Sequence, residues 1–278
     1  MQNREEIKTV GVIGIGVVGG AVYKSFINRG IIAIPYDKYK NGGIGKFEDI
    51  LGTDAVFLIL PTLYCEYKGE YNKTALYETC ELLSRHEYDG LVIIKSTVEP
   101  TTCNSLSEKH PTLKIYHNPE FLSAKTAYDD FENQEHLVIG VSNSYIIKPH
   151  DTNALENFFR KYYGNTIKHI SISSSTESEL MKIAVNNFYA TKIQFFTELF
   201  LLSKETKSDY GRVKGMMLRN GWINPMHTTI PGHDGQISYG GMCFPKDTNA
   251  LLNFMRSKKM PCEVIQATVS ERDLMRAD

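Results

Sequence analysis

Three sets of residues have types and spacings that could do chemistry, and the first is a glycine pattern. Gly14-x-Gly16-x-x-Gly19 follows the apolar run Thr9-Val10-Gly11-Val12-Ile13, and Asp37 stands eighteen residues beyond the last glycine. In such a pattern the first glycine permits a tight turn, the second lets a pyrophosphate reach the backbone, and the third lets helix and strand pack closely; the acid takes ribose hydroxyls. The expectation is a bound dinucleotide, the alternative a glycine turn serving another ligand. Asp37 would repel a 2′-phosphate and favours NAD over NADP, whereas Lys38 and Lys40 could receive that phosphate.

The other two sets lie mostly in the C-terminal half. Lys182 and Asn186 are four residues apart in helical sequence and share a face. A cation beside a neutral amide donor could stabilise an oxyanion formed from an aldehyde or thioester. On spacing alone, a snorkelling lysine and an asparagine that bonds helix to loop are the simpler readings. Cys243 follows two glycines and precedes Phe244-Pro245, a loop setting that can present a thiol; near Lys182 its thiolate would be favoured and act as nucleophile. Cys65, Cys80, Cys103 and Cys262 lack that setting and read as small hydrophobes. Asp247, four beyond Cys243, could orient a water, serve as a base, or cap the last helical stretch. Glu120 in Asn118-Pro119-Glu120 is a second candidate for activating water, or a structural acid.

Elements must hold these residues in place. The apolar runs at 9–13, Ile31–Ile34, Asp54–Leu60 and Leu91–Ile94 do not alternate, as expected of strands covered by helices on both faces of a parallel sheet. Lys114–Tyr116, Leu137–Gly140 and Ile167–Ile172 are further strand candidates. The expected fold class is α/β: an N-terminal Rossmann-type doubly wound parallel sheet followed by a mainly helical central domain. The character changes near Ser173, where Thr176-Glu177-Ser178-Glu179 has capping-box spacing. From it a helix without Gly or Pro can run to about Lys204, apolar nearly all round and therefore buried. A Gly/Pro-rich segment at 221–241 precedes helical sequence from about Thr248 to Asp278. The expected division is 1–173 for the dinucleotide domain and 174–278 for the helical domain with Cys243.

With 278 residues the chain has room for two domains, and 31 Lys+Arg against 32 Asp+Glu leave no electrostatic footprint for nucleic acid or anionic lipid. The polar start Met1–Lys8 lacks the apolar run of a signal peptide. The longest wholly apolar stretch, Ala55–Leu60, is far short of the ~20 residues that span a bilayer, so no membrane partner is expected. Five cysteines without a C-x-x-C pair indicate neither a disulfide framework nor a zinc site; no metal and a reducing cytoplasm are expected.

Taken with the glycine pattern, six segments resemble the UDP-glucose/GDP-mannose dehydrogenase family in order and spacing. They are Leu60-Pro61-Thr62, Lys95-Ser96-Thr97-Val98, Asn118–Leu122, Glu179–Asn186, Thr191-Lys192-Ile193 with Glu198, and Tyr239–Thr248. The resemblance implies that Gly14, Gly16, Val17, Val18, Gly19, Asp37, Pro61, Thr62, Ser96 and Thr97 bind NAD. It implies that Glu120, Phe121, Leu122, Lys182, Asn186, Tyr239 and Gly240 hold a nucleotide sugar, UDP-glucose foremost. By the same resemblance the C6 alcohol is oxidised to an aldehyde, Cys243 traps it as a thiohemiacetal, a second NAD gives a thioester, and water releases the uronic acid. Lys182 and Asn186 hold the oxyanion, while Asp247, Glu120 and Thr97 manage protons and water.

The family's central helix pairs subunits, which implies a homodimer through the helix after Thr176; burial within its own domain is the alternative. The family also has a C-terminal domain over the nucleotide half of the substrate, which this sequence is read as lacking. The segment after Asp37 is short, Ser123-Ala124-Lys125 replaces the usual Arg or Ala before Glu-Gly, and Met226-His227-Thr228 stands where an arginine often reaches a neighbouring subunit's substrate. Two other functions stay open: a 3-hydroxyacid dehydrogenase-like single hydride transfer, and a non-catalytic NAD-binding remnant. The segment Tyr239–Asp247 favours the nucleotide-sugar reaction.

Overall fold

In the computed structural model, which describes residues 6–276, the N-terminal apolar runs form a seven-stranded sheet. The chain passes in order through β1 (Thr9–Ile13), α1 (Val17–Asn28), β2 (Ile32–Tyr36), α2 (Phe47–Ile50) and β3 (Ala55–Leu58). It continues through β4 (Tyr64–Cys65), β5 (Glu70–Tyr71), α3 (Thr74–Arg85), β6 (Leu91–Ile94), α4 (Thr102–Lys109) and β7 (Lys114–His117). Then come α5 (Ala127–Glu132), β8 (His136–Val141), α6 (Pro149–Tyr163), β9 (His169–Ser174), α7 (Ser175–Glu205), α8 (Tyr210–Arg219), α9 (Phe244–Ser257) and α10 (Glu263–Met275).

The described residues form two compact units. The first runs to Leu63 and resumes over Asn72–Lys182; the second comprises Tyr64–Tyr71 and the chain from Ile183 on. In the first, strand order is β2-β1-β3-β6-β7-β8-β9. The order reverses at β1, which has β2 on one side and β3 on the other, so a crevice opens at the carboxyl ends of these strands. Both faces are buried, which explains the unbroken apolar runs: Val10, Val12, Phe57 and Ile93 pack on one side, Ile13, Val56, Leu58, Val92 and Ile94 on the other. Cys80 and Cys103 are interior residues of this unit, and burial pushes the Cys80 thiol up to about 12.

The sheet is not parallel throughout, because β8 runs antiparallel to β7. The connection between them holds only the short helix α5, and β8 enters the sheet through the pairs Tyr116–Val141 and His117–Gly140 before continuing parallel to β9. The capping box of α7 also forms two residues earlier than its sequence spacing suggests. The Ser174 N–H donates to Glu177 Oε2 at 2.9 Å, and the Glu177 N–H donates to Ser174 Oγ at 3.3 Å. Glu179 is engaged elsewhere. Nor is the terminal stretch one helix: Pro261 lies between α9 and α10, and the expected end at Asp278 falls outside the described residues.

The helical unit has a small core of Tyr71, Ile183, Ala250 and Leu251. Within one chain α7 is not buried all round: Leu180, Phe188, Phe195 and Leu202 form an open stripe, with Phe188 64% exposed. No helix among the described residues is long and apolar enough to cross a membrane, and none of their His, Cys, Asp and Glu side chains cluster as metal ligands.

Phe26 centres the first core, fully buried against Phe57 (ring centroids 5.1 Å apart), Phe158 (5.8 Å) and Phe131 (6.1 Å). Phe26→Ala is expected to cost about 3–5 kcal/mol, read from the shift in urea midpoint at unchanged m-value.

Candidate active site

At the mouth of the crevice the glycine turn meets steric demands that only glycine satisfies. Gly14 has φ +91°, and a Cβ on Gly19 would sit 1.8 Å from the Gly14 carbonyl oxygen. Beside Gly16, by contrast, a Cβ would meet nothing within 4 Å. That open space lies at the N-terminus of α1, which has no side-chain cap and no acid in its first turn. Free N–H groups at a helix start with room beside them suit a pyrophosphate, so the residues fit a dinucleotide.

Asp37 follows β2. Its Oδ2 accepts from the Ile15 N–H at 2.8 Å, and its Oδ1 from those of Lys40 (2.9 Å) and Tyr39 (3.0 Å). Burial pushes this carboxyl up, but the backbone donors of Lys40, Tyr39 and Ile15, with the Lys40 ammonium, hold it below its ordinary value. Lys40 itself donates to the Ile15 carbonyl. The loops after β3 and β6 are stitched together: Thr62 Oγ1 donates to the Thr97 carbonyl at 2.8 Å and Ser96 Oγ to that of Leu60 at 2.7 Å. Thr62, Ser96 and Thr97 are buried and Pro61 is exposed.

Two acid–base groups of this unit come together. Lys182 Nζ lies 3.9 Å from Glu120 Oε1 and 5.1 Å from the centroid of the Phe121 ring, and Glu120 Oε2 accepts from the Leu122 N–H at 2.5 Å. Behind them is Lys95, for which the sequence reading gave no role. Its ammonium is fully enclosed and donates to Asn118 Oδ1 (2.8 Å) and the Asn118 carbonyl (3.0 Å). Burial lowers its pKa to about 7; Glu120 opposes the shift and Lys182 adds to it.

In the helical unit Cys243 is exposed, in no disulfide, and occupies the N-cap position of α9. Asp247 is not a cap. It lies one turn inside α9 with no exposed surface; its Oδ2 accepts from Asn186 Nδ2 at 2.6 Å and its Oδ1 lies 2.5 Å from Lys246 Nζ. The Tyr71 hydroxyl donates to Oδ1 as well. No sequence signal marks Tyr71, which lies 176 residues from its partner. The Tyr239 ring is buried and its hydroxyl contacts Thr248 and the Thr268 carbonyl, while Gly240 lies against the Arg276 guanidinium. His227 packs on Tyr189 and Phe244, its ring centroid 4.6 Å and 5.6 Å from theirs; burial and Lys192 lower its pKa.

Residues 45–162 match the model of the UDP-glucose/GDP-mannose dehydrogenase family, NAD binding domain, and residues 176–271 that of the same family's central domain. UDP-glucose 6-dehydrogenase of Rickettsia bellii is 31% identical over 231 residues, 80% of this chain and 50% of that protein. The chain thus spans about half the length of the curated relatives it matches. A UDP-glucose dehydrogenase structure from Pyrobaculum islandicum superposes with a TM-score of 0.81 at 23% identity, covering 99% of this chain and 70% of that one. A 3-hydroxyisobutyrate dehydrogenase from Mycobacterium tuberculosis gives a TM-score of 0.67 at 15% identity, covering 95% and 92%. These two likenesses are of fold.

Lys95 makes stability depend on pH. Folded, it loses its proton near pH 7; unfolded, it keeps it to about 10.5, so between these values the unfolded chain binds more protons and stability rises with pH. Buried thiols reverse the trend once the unfolded chain ionises near 9. His117, lowered to about 3 by burial, acts only below its ordinary value of 6.5. From pH 7 to about 8.5 the urea-derived stability should climb by up to about 2 kcal/mol, and Lys95→Met should flatten that slope.

Proposed function

Because the chain belongs to the UDP-glucose/GDP-mannose dehydrogenase family and carries its NAD binding domain, we propose that it oxidises the C6 alcohol of a nucleotide sugar, UDP-glucose foremost, to the uronic acid in two NAD-dependent steps. One observation carries this reading. The Asn186–Asp247 hydrogen bond joins the turn after Lys182 on α7 to the turn after Cys243 on α9, so two helices bring the proposed oxyanion donor and the turn behind the nucleophile together. Residues 1–173 serve as the NAD-binding domain and 174–278 as the central domain with Cys243.

Gly14, Gly16, Val17, Val18, Gly19 and Asp37 hold the dinucleotide, with Pro61, Thr62, Ser96 and Thr97 at the neighbouring strand ends. NAD held there would supply the hydride acceptor for the C6 carbon, needed once at the alcohol and once at the trapped aldehyde. Glu120, Phe121, Leu122 and the loop at Tyr239 and Gly240 hold the sugar. The Cys243 thiolate attacks the aldehyde carbon, forming a C–S bond, and Lys182 with Asn186 stabilises the negative charge on oxygen. After the second oxidation water attacks the thioester, the C–S bond breaks and the thiolate leaves; Glu120 and Thr97 position that water and take its proton, while Asp247, buried with both oxygens engaged, acts through the Asn186 amide it holds. Thiols outside any disulfide suit a reducing cytoplasm.

Incubation with UDP-glucose and NAD should yield two NADH per sugar, and Cys243→Ser should stop turnover. One NADH per turnover, insensitive to Cys243, would indicate a 3-hydroxyacid type of transfer. NAD binding without NADH from any nucleotide sugar would indicate a non-catalytic protein.

The open stripe on α7 supports a homodimer in which two copies cover each other's Phe188, Phe195 and Leu202. Phe188→Glu should convert a dimer-sized species to monomer in light scattering. A monomeric wild type would contradict the pairing.

A further inference from the structure

Tyr71 is a buried group for which the proposed chemistry has no use. It ends the β4–β5 hairpin, is 1% exposed, and packs its ring with Ile183, Ala250 and Leu251. Such an environment needs an apolar ring and gives no reason for a hydroxyl. Yet that hydroxyl donates to Asp247 Oδ1, the oxygen that also lies 2.5 Å from Lys246 Nζ; the same ammonium stands 4.7 Å from the centroid of the Tyr71 ring. The other oxygen, Oδ2, accepts from Asn186 Nδ2 at 2.6 Å. The two oxygens of a carboxylate are rigidly linked, so donors that pin Oδ1 also fix where Oδ2 points. An amide NH2 has two N–H bonds in one plane. The bond to Asp247 uses one and sets that plane, so the direction of the second follows from it.

We propose that Tyr71 is a positioning residue: by pinning Asp247 it fixes the Asn186 amide so that the second N–H meets the developing oxyanion. This rests on the reading of Asn186 as an oxyanion donor. The charge arises twice. When the thiolate adds to the aldehyde carbon, the C–S bond forms and the carbonyl π pair moves onto oxygen. When water adds to the thioester carbon, the same oxygen takes a pair again; its return expels the thiolate, and the water's proton goes to the base. A donor held in advance lowers both barriers without reorganising, whereas one free to turn loses much of that effect. The hairpin, although it interrupts the sequence of the first unit, thereby supports the chemistry of the second.

The test is a double-mutant cycle in steady-state kinetics with UDP-glucose and NAD, on Tyr71→Phe, Asn186→Ala and the double variant. Phenylalanine keeps the ring and removes only the donor. Tyr71→Phe should lower kcat about 10-fold with KM changed less than about twofold, and Asn186→Ala on the order of 10²-fold. In the Asn186→Ala background Tyr71→Phe should cost less than about twofold more, since nothing remains for it to position. A similar loss in both backgrounds, as a merely structural role gives, overturns the inference, as does wild-type kcat in Tyr71→Phe. Should Tyr71→Phe not fold by circular dichroism, Asp247→Asn takes its place in the cycle with the same outcomes. If the wild type makes no NADH, the functional reading falls and this inference with it; wild-type turnover with additive losses removes the inference alone.

Discussion

The start of α7 takes its place from one buried carboxylate. Glu179 has no exposed surface and accepts from the backbone N–H groups of Thr101 (2.6 Å) and Cys103 (2.7 Å) at the start of α4. Burial pushes its carboxyl above the ordinary range, and the donors of Cys103 and Thr101 oppose that push. These N–H groups are among those a helix leaves without partners at its beginning, so a side chain of one helix completes the end of another. Thr101 holds φ +81°, a left-handed conformation that costs a threonine energy and persists here under the grip of Glu179. Lys182 is three residues further along the same helix, and Asn186 one more turn. The spacing of the proposed oxyanion donors is therefore a property of a regular helix; Lys182 is anchored through Glu179, and Asn186 through Asp247.

Burying charge is costly unless partners replace water, and the two units meet that cost differently. Lys95 has dipolar partners, the amide and carbonyl oxygens of Asn118, and its pKa falls to about 7. That arrangement ties the end of β6 to the segment that leads into Glu120. Asp247 instead gathers a phenol, an amide and an ammonium on its two oxygens. Charge-assisted bonds of this kind are roughly twice as strong as neutral ones, and a fully satisfied network permits few alternative arrangements. Both networks adjoin residues to which the proposed chemistry assigns a role, Glu120 in one unit and Asn186 in the other.

Legibility in the sequence followed the distance over which each feature is determined. The β1–turn–α1 unit was readable because Gly14, Gly19 and the flanking apolar run are contiguous and each position has its own steric reason. The α7 face with Lys182 and Asn186 was readable for the same reason, since helix periodicity is local. The antiparallel β8 was not, because its direction is set by long-range pairing with β7 and not by the strand's composition. Asp247 was legible as a candidate but not as a buried centre: its partners Asn186 and Tyr71 lie 61 and 176 residues away. Glu179 was misassigned to a local cap because Ser174 and Glu177 compete for that geometry two residues earlier. Local patterns carry spacing, and long-range hydrogen bonds decide which of several local options a side chain takes.

The choice between NAD and NADP shows how such a decision comes about. In sequence, Asp37 argued for a free ribose 2′-hydroxyl and the lysines beside it for a 2′-phosphate. The fold separates them. The Lys40 ammonium donates to the Ile15 carbonyl within the glycine turn and so becomes part of the turn. Three backbone N–H groups converge on Asp37 and hold its pKa down, so its negative charge persists at neutral pH. A carboxylate offers about four acceptor positions, and three donors leave one for a ribose hydroxyl. A 2′-phosphate would bring close to two further negative charges against a carboxylate that cannot readily take a proton, with the nearest ammonium already engaged. The same contacts that build the turn thus take Lys40 away from a 2′-phosphate and favour NAD.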